Sequence, residues 1–220
     1  MSRLLLLAVL AVLIVPSTAN AATATAFSDG FSTLEATRWT AGEHQLGRSA
    51  LTAGNVVVGN GALALVLPDG TTDGGEIRST QTYASGVATA RMQVADAPSS
   101  ITGFFLYAAP DYASEIDIEV FNDPSGRVMF TTYAGGRQTH TETRTLGFDP
   151  TAAMHDYEIA WSNGRVTFSV DGTALRTWNN GVTKLPMNLF ANAWFPSWLD
   201  GLAPAGRRAT VIDQIEYRRR

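Results

Sequence analysis

The 220-residue chain contains no cysteine, and this absence is the first constraint on its chemistry. It excludes disulfides, thiolate nucleophiles and cysteine-ligated metal sites. The three histidines, His44, His140 and His155, are not at metal-binding spacing, and no Gly-x-Ser-x-Gly segment is present. Zinc-hydrolase and serine-hydrolase chemistry are therefore not indicated. A chain of this length can still bury a sizeable core without cross-links.

Positive charge is also scarce, since the formal net charge is -4 at pH 7. The one basic run is Arg218–Arg220 at the end of the chain. A short terminal run of this kind is typical of a solvated tail. We therefore expect neither nucleic acid nor an anionic membrane surface as a partner.

Long apolar segments are limited to one, from Leu4 to Val15. It follows Arg3 and precedes Ala19-Asn20-Ala21, a small-x-small sequence typical of a cleavage site. The order predicts a signal peptide over residues 1–21, with a retained N-terminal anchor as the alternative. We expect a secreted, monomeric protein whose residues 22–220 form one domain, with no membrane attachment after cleavage.

Helical periodicity is lacking in the remainder, which consists of short apolar or alternating runs separated by turn residues. Residues 56–67, broken by Gly59-Asn60-Gly61, predict one β-hairpin, and residues 157–170, broken by Ser162-Asn163-Gly164, predict another. Strands at this short spacing predict an all-β sandwich or barrel.

The most informative segment is Ser114–Phe121, in which acidic and aliphatic residues alternate strictly. Period-2 alternation places Glu115, Asp117 and Glu119 on one face of a strand and the aliphatic residues on the other. Three adjacent like charges repel each other, so a merely solvated face would not favour them. Paired carboxylates on one surface are what acid/base chemistry on a sugar acetal requires. An acidic exposed strand or a cation site is the alternative.

The segment Glu115–Glu119 resembles the unbulged Glu-x-Asp-x-Glu catalytic strand of glycoside hydrolase family 16, of the bacterial lichenase type. Residues 75–79, 102–107 and 186–199 are similar to further segments of that family. The resemblance implies a jelly-roll sandwich of two antiparallel sheets with a concave glycan-binding cleft. It also implies a retaining endo-β-glucanase that cuts a 1,3-1,4- or 1,3-linked glucan.

The same resemblance implies that Glu115 is the nucleophile, Glu119 the general acid/base and Asp117 the helper between them. On a flat strand, positions i and i+4 lie about 13 Å apart at a rise of roughly 3.3 Å per residue. A retaining mechanism needs carboxyl groups about 5 to 5.5 Å apart. We therefore expect the sheet to be concave at this strand.

Six further residues are implied to bind sugar: Glu76, Arg78, Tyr133, Asn192, Trp194 and Trp198. Glu76 and Arg78 share a strand face, so an internal ion pair is the alternative for them. For Trp194 and Trp198 the alternative is burial in the core, and we assign Trp39, Trp161 and Trp178 to core or loop packing.

The chain also departs from the lichenase pattern. Ala113 stands where a tryptophan is usual, and Tyr112 beside it is predicted to face the other way on a regular strand. Thr131 stands where an asparagine is usual. A preference for lichenan therefore does not follow from the resemblance alone.

No cofactor is expected for catalysis, but a structural calcium ion is implied, with Asp213 as its side-chain ligand. An ordinary exposed strand aspartate is the alternative for Asp213.

Two other functions stay open at this stage. A cell-wall transglycosylase would use the same residues with a sugar as acceptor. A non-catalytic carbohydrate-binding sandwich would have lost one catalytic glutamate, and both glutamates are present here.

Overall fold

The computed structural model describes residues 24–220, and the predicted signal peptide over residues 1–21 lies outside them. Seventeen strands make up the described part of the chain. They are β1 Phe27–Asp29, β2 Trp39–Ala41, β3 His44–Leu46, β4 Ser49–Leu51, β5 Val56–Gly59, β6 Ala62–Leu67, β7 Gly75–Tyr83, β8 Gly86–Gln93, β9 Ile101–Ala108, β10 Ser114–Phe121, β11 Arg127–Ala134, β12 Gln138–Thr145, β13 His155–Ser162, β14 Arg165–Val170, β15 Thr173–Trp178, β16 Met187–Trp194 and β17 Arg208–Arg218.

Two large sheets hold fifteen of these strands, and every strand pair in them is antiparallel. The seven-stranded sheet has the order β12-β11-β10-β9-β16-β7-β2. The eight-stranded sheet has the order β15-β14-β13-β8-β17-β6-β5, with β1 added on β17. Strands β3 and β4 form a separate hairpin. Because most neighbours are distant in sequence, the chain crosses repeatedly between sheets, as in a jelly roll.

The core lies between the two sheets and is built from the inward-facing residues of each strand. On β10 the side chains of Ile116, Ile118 and Val120 are fully buried. Phe130 of β11 and Phe168 of β14 stack across the sandwich with ring centroids 4.9 Å apart. The predicted all-β jelly-roll sandwich is confirmed, and both predicted hairpins are present as β5–β6 and β13–β14.

Helix is almost absent from residues 24–220, where a single 3-10 turn at Ala53–Asn55 stands. None of the described helical structure is therefore long or apolar enough to cross a membrane.

Candidate active site

A cleft of about 980 Å³ crosses the outer face of the seven-stranded sheet. All seven strands of that sheet contribute side chains to it, from Thr141 on β12 to Thr40 on β2. Residues 42–46, Asp111, Tyr112 and Trp198 add to its walls. A cleft that spans a whole sheet fits an extended chain molecule better than a compact one.

The three carboxylates of β10 lie on the floor of this cleft. Strand β10 is flanked by β9 and β11, so its residues are fixed from both sides. Glu115 lies between Tyr107 and Tyr133 in the strand register. Glu119 lies between Gly103 and Met129. The alternation in the sequence thus places all three acids in one row above the aliphatic core.

Gly103 is the register partner of both Glu119 and Asn192, and it leaves room for the Asn192 side chain. A β-carbon at this position would lie 2.6 Å from Asn192 Oδ1. The Gly103 amide instead donates a hydrogen bond to that oxygen at 3.2 Å. Any side chain at position 103 would therefore displace the Asn192 amide from this position on β16.

Both glutamates are held in a partly protonated state near neutral pH. The pKa of Glu115 is raised to about 7, chiefly by burial, while a hydrogen bond with Asp117 opposes the rise and the Asp111 carboxylate adds to it. The pKa of Glu119 is also raised to about 7, by burial and then by the charge of Glu115. Burial of a carboxyl group disfavours its charged form, so a proton stays available for transfer.

Asp117 is the most deeply buried acid of the row, with 4% of its surface exposed. Burial, the charges of Glu115 and Glu119, and a hydrogen bond to Glu115 all raise its pKa well above the usual range. The raised pKa favours the protonated form of Asp117, which can donate a hydrogen bond to Glu115. Its Oδ1 atom has no hydrogen-bond partner among the described residues.

Glu76 is buried at one side of the cleft and is held by two side chains. Its Oε1 atom lies 3.0 Å from His44 Nε2, and its Oε2 accepts a hydrogen bond from Asn192 Nδ2 at 3.2 Å. Burial lowers the pKa of His44, but the hydrogen bond and charge of Glu76 outweigh it and leave that pKa raised. Within the described chain Glu76 pairs with His44 and not with Arg78, which is exposed and lines the cleft. Sequence reasoning did not identify His44 as part of this site.

The aromatic residues divide between the cleft and the core. Tyr133, Trp194 and Trp198 line the cleft, and Trp198 is 53% exposed. Trp39, Trp161 and Trp178 are buried. The pKa of the Tyr133 hydroxyl is raised to about 12, first by burial and then by the three nearby carboxylates. The hydroxyl therefore remains a hydrogen-bond donor. Thr131, opposite Asp117 on β11, also lines the cleft.

Tyr112 is where the sequence-based expectation is wrong. It was predicted to face away from the cleft on a regular strand, but β10 begins only at Ser114. Tyr112 belongs to the preceding turn, has φ +66°, and lines the cleft. Its neighbour Asp111 accepts a hydrogen bond from the Tyr107 hydroxyl at 2.6 Å. Nothing in the local alternation indicates either contact.

Arg48 is a second residue that sequence reasoning missed, because its acceptors are main-chain carbonyls. Its guanidinium group donates hydrogen bonds of 2.8 to 3.3 Å to the carbonyls of Ser99, Pro196, Leu199 and Gly201. The same group lies 5.6 Å from the centre of the Phe195 ring. Arg48 thus fastens the β3–β4 hairpin to the loop that carries Trp198.

Replacing Arg48 with alanine is expected to raise KM about tenfold, because the loop that presents Trp198 to the cleft loses three hydrogen bonds. The measurement is steady-state kinetics of Arg48→Ala, Trp198→Ala and the double variant. If Arg48 acts through Trp198, the double variant will resemble Trp198→Ala alone. Fully additive effects on KM would contradict this link and leave Arg48 as a general stabilising residue.

The fold and the site together define a class of carbohydrate-active jelly-roll proteins with a carboxylate row in an open cleft. The chain belongs to glycosyl hydrolases family 16, whose sequence pattern matches residues 32–215.

Individual relatives agree with this membership. The chain is 30% identical over 152 residues to a beta-glucanase of Paenibacillus polymyxa, covering 66% of this chain and 64% of that one. It is 33% identical over 131 residues to a beta-glucanase of Bacillus subtilis (strain 168), covering 58% of this chain and 54% of that one. The chain thus spans less than two thirds of these relatives' own lengths. The solved beta-glucanase of Bacillus licheniformis superimposes with a TM-score of 0.82 at 25% identity, covering 90% of this chain and 100% of that chain.

Proposed function

We propose that this protein is a secreted, retaining endo-β-glucanase that cuts a 1,3-1,4- or 1,3-linked glucan. The observation that carries the proposal is the row Glu115, Asp117 and Glu119 on the floor of a cleft that crosses the whole sheet. A cleft that crosses the whole sheet can hold an extended chain on both sides of the carboxylate row, which favours internal cleavage. The membership in family 16 and the beta-glucanases among its relatives support the same conclusion.

In the first step, protonated Glu119 donates its proton to the glycosidic oxygen as that bond breaks. The Glu115 carboxylate attacks the anomeric carbon and forms a covalent glycosyl ester. In the second step, the Glu119 carboxylate takes a proton from water, which attacks the same carbon and displaces Glu115. Two inversions at the anomeric carbon give net retention of its configuration. Asp117 acts by donating a hydrogen bond to Glu115, which favours the ionised nucleophile.

The sugar-binding residues would be those that surround this row: Glu76, Arg78, Tyr133, Asn192, Trp194 and Trp198. Glu76 and Asn192 are fixed in one hydrogen-bonded pair, so they can meet sugar hydroxyls without a large loss of side-chain entropy. Trp194 and Trp198 offer aromatic faces at a wall of the cleft. Apolar faces of pyranose rings stack on such surfaces.

The residues of the site define the type of reaction better than they define which glycosidic linkage is cut. Ala113 and Thr131 differ from the lichenase pattern, and Thr131 lies directly opposite Asp117 in the register. Thr131 Oγ1 lies 3.4 Å from Thr141 Oγ1, so its hydroxyl is directed partly toward the neighbouring strand. A β-linked glucan is the substrate class we favour, because beta-glucanases recur among the relatives.

The experiment is product analysis by chromatography after incubating the purified mature protein with lichenan, laminarin, xyloglucan and agarose. Glu115→Gln is the matched control, because it preserves shape and removes the nucleophile. Oligosaccharides from a glucan, absent with the variant, would support the proposal. Transfer products in excess of hydrolysis products would indicate a transglycosylase. Glycan binding without any product would overturn the proposed enzymatic activity and indicate a non-catalytic carbohydrate-binding sandwich.

A structural calcium ion is proposed on the opposite sheet, at Asp213. This residue lies where the register of β17 against β8 shifts, and its Oδ1 is buried without a hydrogen-bond partner among the described residues. A β-carbon on Gly30 would lie 3.9 Å from the Asp213 carbonyl oxygen, and one on Gly61 would lie 4.0 Å from the Gly30 carbonyl oxygen. Carboxylate and main-chain carbonyl oxygens are the ligand types that calcium takes. The other oxygen, Oδ2, accepts a hydrogen bond from Arg91 Nε at 3.2 Å.

Calcium at about 100 times its dissociation constant is expected to raise Tm by about 5–10 °C over the chelated protein. Thermal unfolding with calcium and with a chelator measures this difference. Asp213→Asn should abolish it, whereas Arg91→Gln, which removes only the ion pair, should keep it. Equal Tm values for the parent protein in both conditions would show that Asp213 is an ordinary strand aspartate.

Secretion through the signal peptide at residues 1–21 and a monomeric state complete the proposal. Mass determination of exported protein would locate the cleavage after Ala21, and size-exclusion chromatography with light scattering would report the oligomeric state. A retained N-terminus or a dimer would contradict these two points without affecting the catalytic residues.

A further inference from the structure

Tyr112 has a backbone conformation that a tyrosine rarely adopts. Its φ of +66° lies in the left-handed region, which costs free energy for any residue with a bulky side chain. The turn is held there from two sides. The Ala113 amide donates to the Pro110 carbonyl at 3.0 Å, and the Gly136 amide donates to the Tyr112 carbonyl at 3.1 Å. The Gly135 amide donates to the Ala113 carbonyl at 3.0 Å.

This strain does not serve the core, because the Tyr112 side chain is 56% exposed. Its ring lies 5.3 Å from the ring of Tyr133, with 41° between the ring planes. Tyr133 is the register partner of Glu115, and both tyrosines line the cleft. The strained turn therefore places an exposed aromatic ring beside the nucleophile end of the carboxylate row.

We propose that Tyr112 and Tyr133 form an aromatic wall at the Glu115 end of the cleft and that Tyr112 determines which sugar is accepted there. The proposal rests on the proposed glycosidase function. The methyl group of Ala113 offers no stacking surface, so the ring on the preceding residue provides it. Strained backbone of this kind persists where the surrounding structure fixes it, and it is concentrated at functional sites.

The wall has a consequence for substrate class. A β-linked glucopyranose ring carries its hydroxyl groups equatorially, so both of its faces are apolar and can lie against an aromatic ring. A galactopyranose ring has an axial hydroxyl that interrupts one of these faces. We therefore expect the wall to favour gluco-configured over galacto-configured rings, and this preference to depend on Tyr112.

The test is calorimetric binding of a mixed-linkage gluco-oligosaccharide in a Glu115→Gln background, so that affinity is measured without turnover. Adding Tyr112→Ala is expected to weaken binding about tenfold. Tyr112→Phe, which keeps the ring, should bind more tightly than Tyr112→Ala. Tyr112→Gly should bind as weakly as Tyr112→Ala but have a higher Tm than the parent, because glycine adopts positive φ without strain.

Asn60→Gly is the matched control for strain relief, since Asn60 also has positive φ (+54°) but lies in the β5–β6 turn of the other sheet. It should raise Tm and leave the dissociation constant unchanged. Unchanged affinity in Tyr112→Gly would overturn the aromatic wall and assign Tyr112 a structural role only. If the parent binds no glycan at all, it is the proposed function that fails, and the two failures are thereby distinguished.

Discussion

Replacing Glu115 with alanine is expected to lower kcat/KM at least about 10⁴-fold, and azide is expected to restore product formation. The deletion leaves a space on the face of the sugar from which Glu115 attacks. Azide can enter that space and displace the leaving group while Glu119 donates its proton. A single displacement inverts the anomeric carbon, so the product is the α-glycosyl azide.

Glu119→Ala should respond to azide with the opposite stereochemistry. On an aryl glycoside, whose leaving group needs no protonation, Glu115 still forms the glycosyl ester. Azide then attacks that ester from the β face, and two inversions give the β-glycosyl azide. The configuration of the isolated azide, read by NMR, therefore assigns each glutamate its role.

Glu158→Ala is the control for nonspecific effects of azide. Glu158 lies on β13 of the opposite sheet, where it accepts a hydrogen bond from Arg218 at 3.3 Å. Its loss should neither impair turnover nor allow azide to be incorporated. A β-glycosyl azide from Glu115→Ala would show that the nucleophile and the acid/base are reversed. No azide product from either variant would contradict the double-displacement mechanism.

The fold and the carboxylate row were predictable because both depend on local order in the sequence. Strict alternation over Ser114–Phe121 fixes which residues face the core, whatever the neighbouring strands are. The turn residues between Val58 and Ala62 similarly fix the β5–β6 hairpin. Both features follow from the two-residue period of side chains along a strand and from the backbone preferences of turn residues. Both can be read directly from a single sequence.

The rest of the site depends on contacts between distant segments. Arg48 donates hydrogen bonds to carbonyl groups around residue 200. Because every residue has a main-chain carbonyl, the sequence does not show which of them accept these bonds. His44 reaches Glu76 from the separate β3–β4 hairpin. Tyr112 faces the cleft only because the Gly135–Gly136 turn holds its backbone. Extending the strand pattern back from Ser114 gave the wrong direction for that ring.

Because the chain has no cysteine, the β3–β4 hairpin must be held in place by non-covalent contacts. The β3–β4 hairpin forms one wall of the cleft without a disulfide to hold it. Its connections include the Arg48 hydrogen bonds, the contact between His44 and Glu76, a parallel bridge between Leu51 and Gly74, and a hydrogen bond of 2.8 Å from the Phe195 amide to Ser49 Oγ. Polar contacts thus fix the wall that a covalent link could have fixed.

Asp117→Ala is expected to lower kcat/KM about 10²-fold and to move the acidic limb of its pH profile to higher pH. Protonated Asp117 donates to the Glu115 carboxylate, and this hydrogen bond lowers the pKa of Glu115. Without it, Glu115 keeps its proton to higher pH and is not a nucleophile. Asp117→Asn retains a donor at the same place, so its acidic limb should stay closer to that of the parent protein.

The same carboxyl groups should make the folded state less stable as pH rises. A glutamate of ordinary pKa 4.5 whose pKa is about 7 in the fold binds more protons folded than unfolded between these values. The stabilising contribution is fully present below about pH 4.5 and is lost as pH rises through 7. Asp117, whose pKa is also raised, adds to this loss.

Asp117→Asn removes one of these groups and cannot ionise. It should therefore raise Tm by about 3 °C at pH 8, where folding makes the parent either bury the charge of Asp117 or take up a proton. At pH 3, where Asp117 is largely protonated in both the folded and the unfolded state, it should leave Tm nearly unchanged. A variant that is more stable at alkaline pH yet slower at every pH would mean that Asp117 is kept for catalysis at a cost in stability. Equal Tm differences at both pH values would contradict the raised pKa, and an unchanged acidic limb in Asp117→Ala would contradict its hydrogen bond to Glu115.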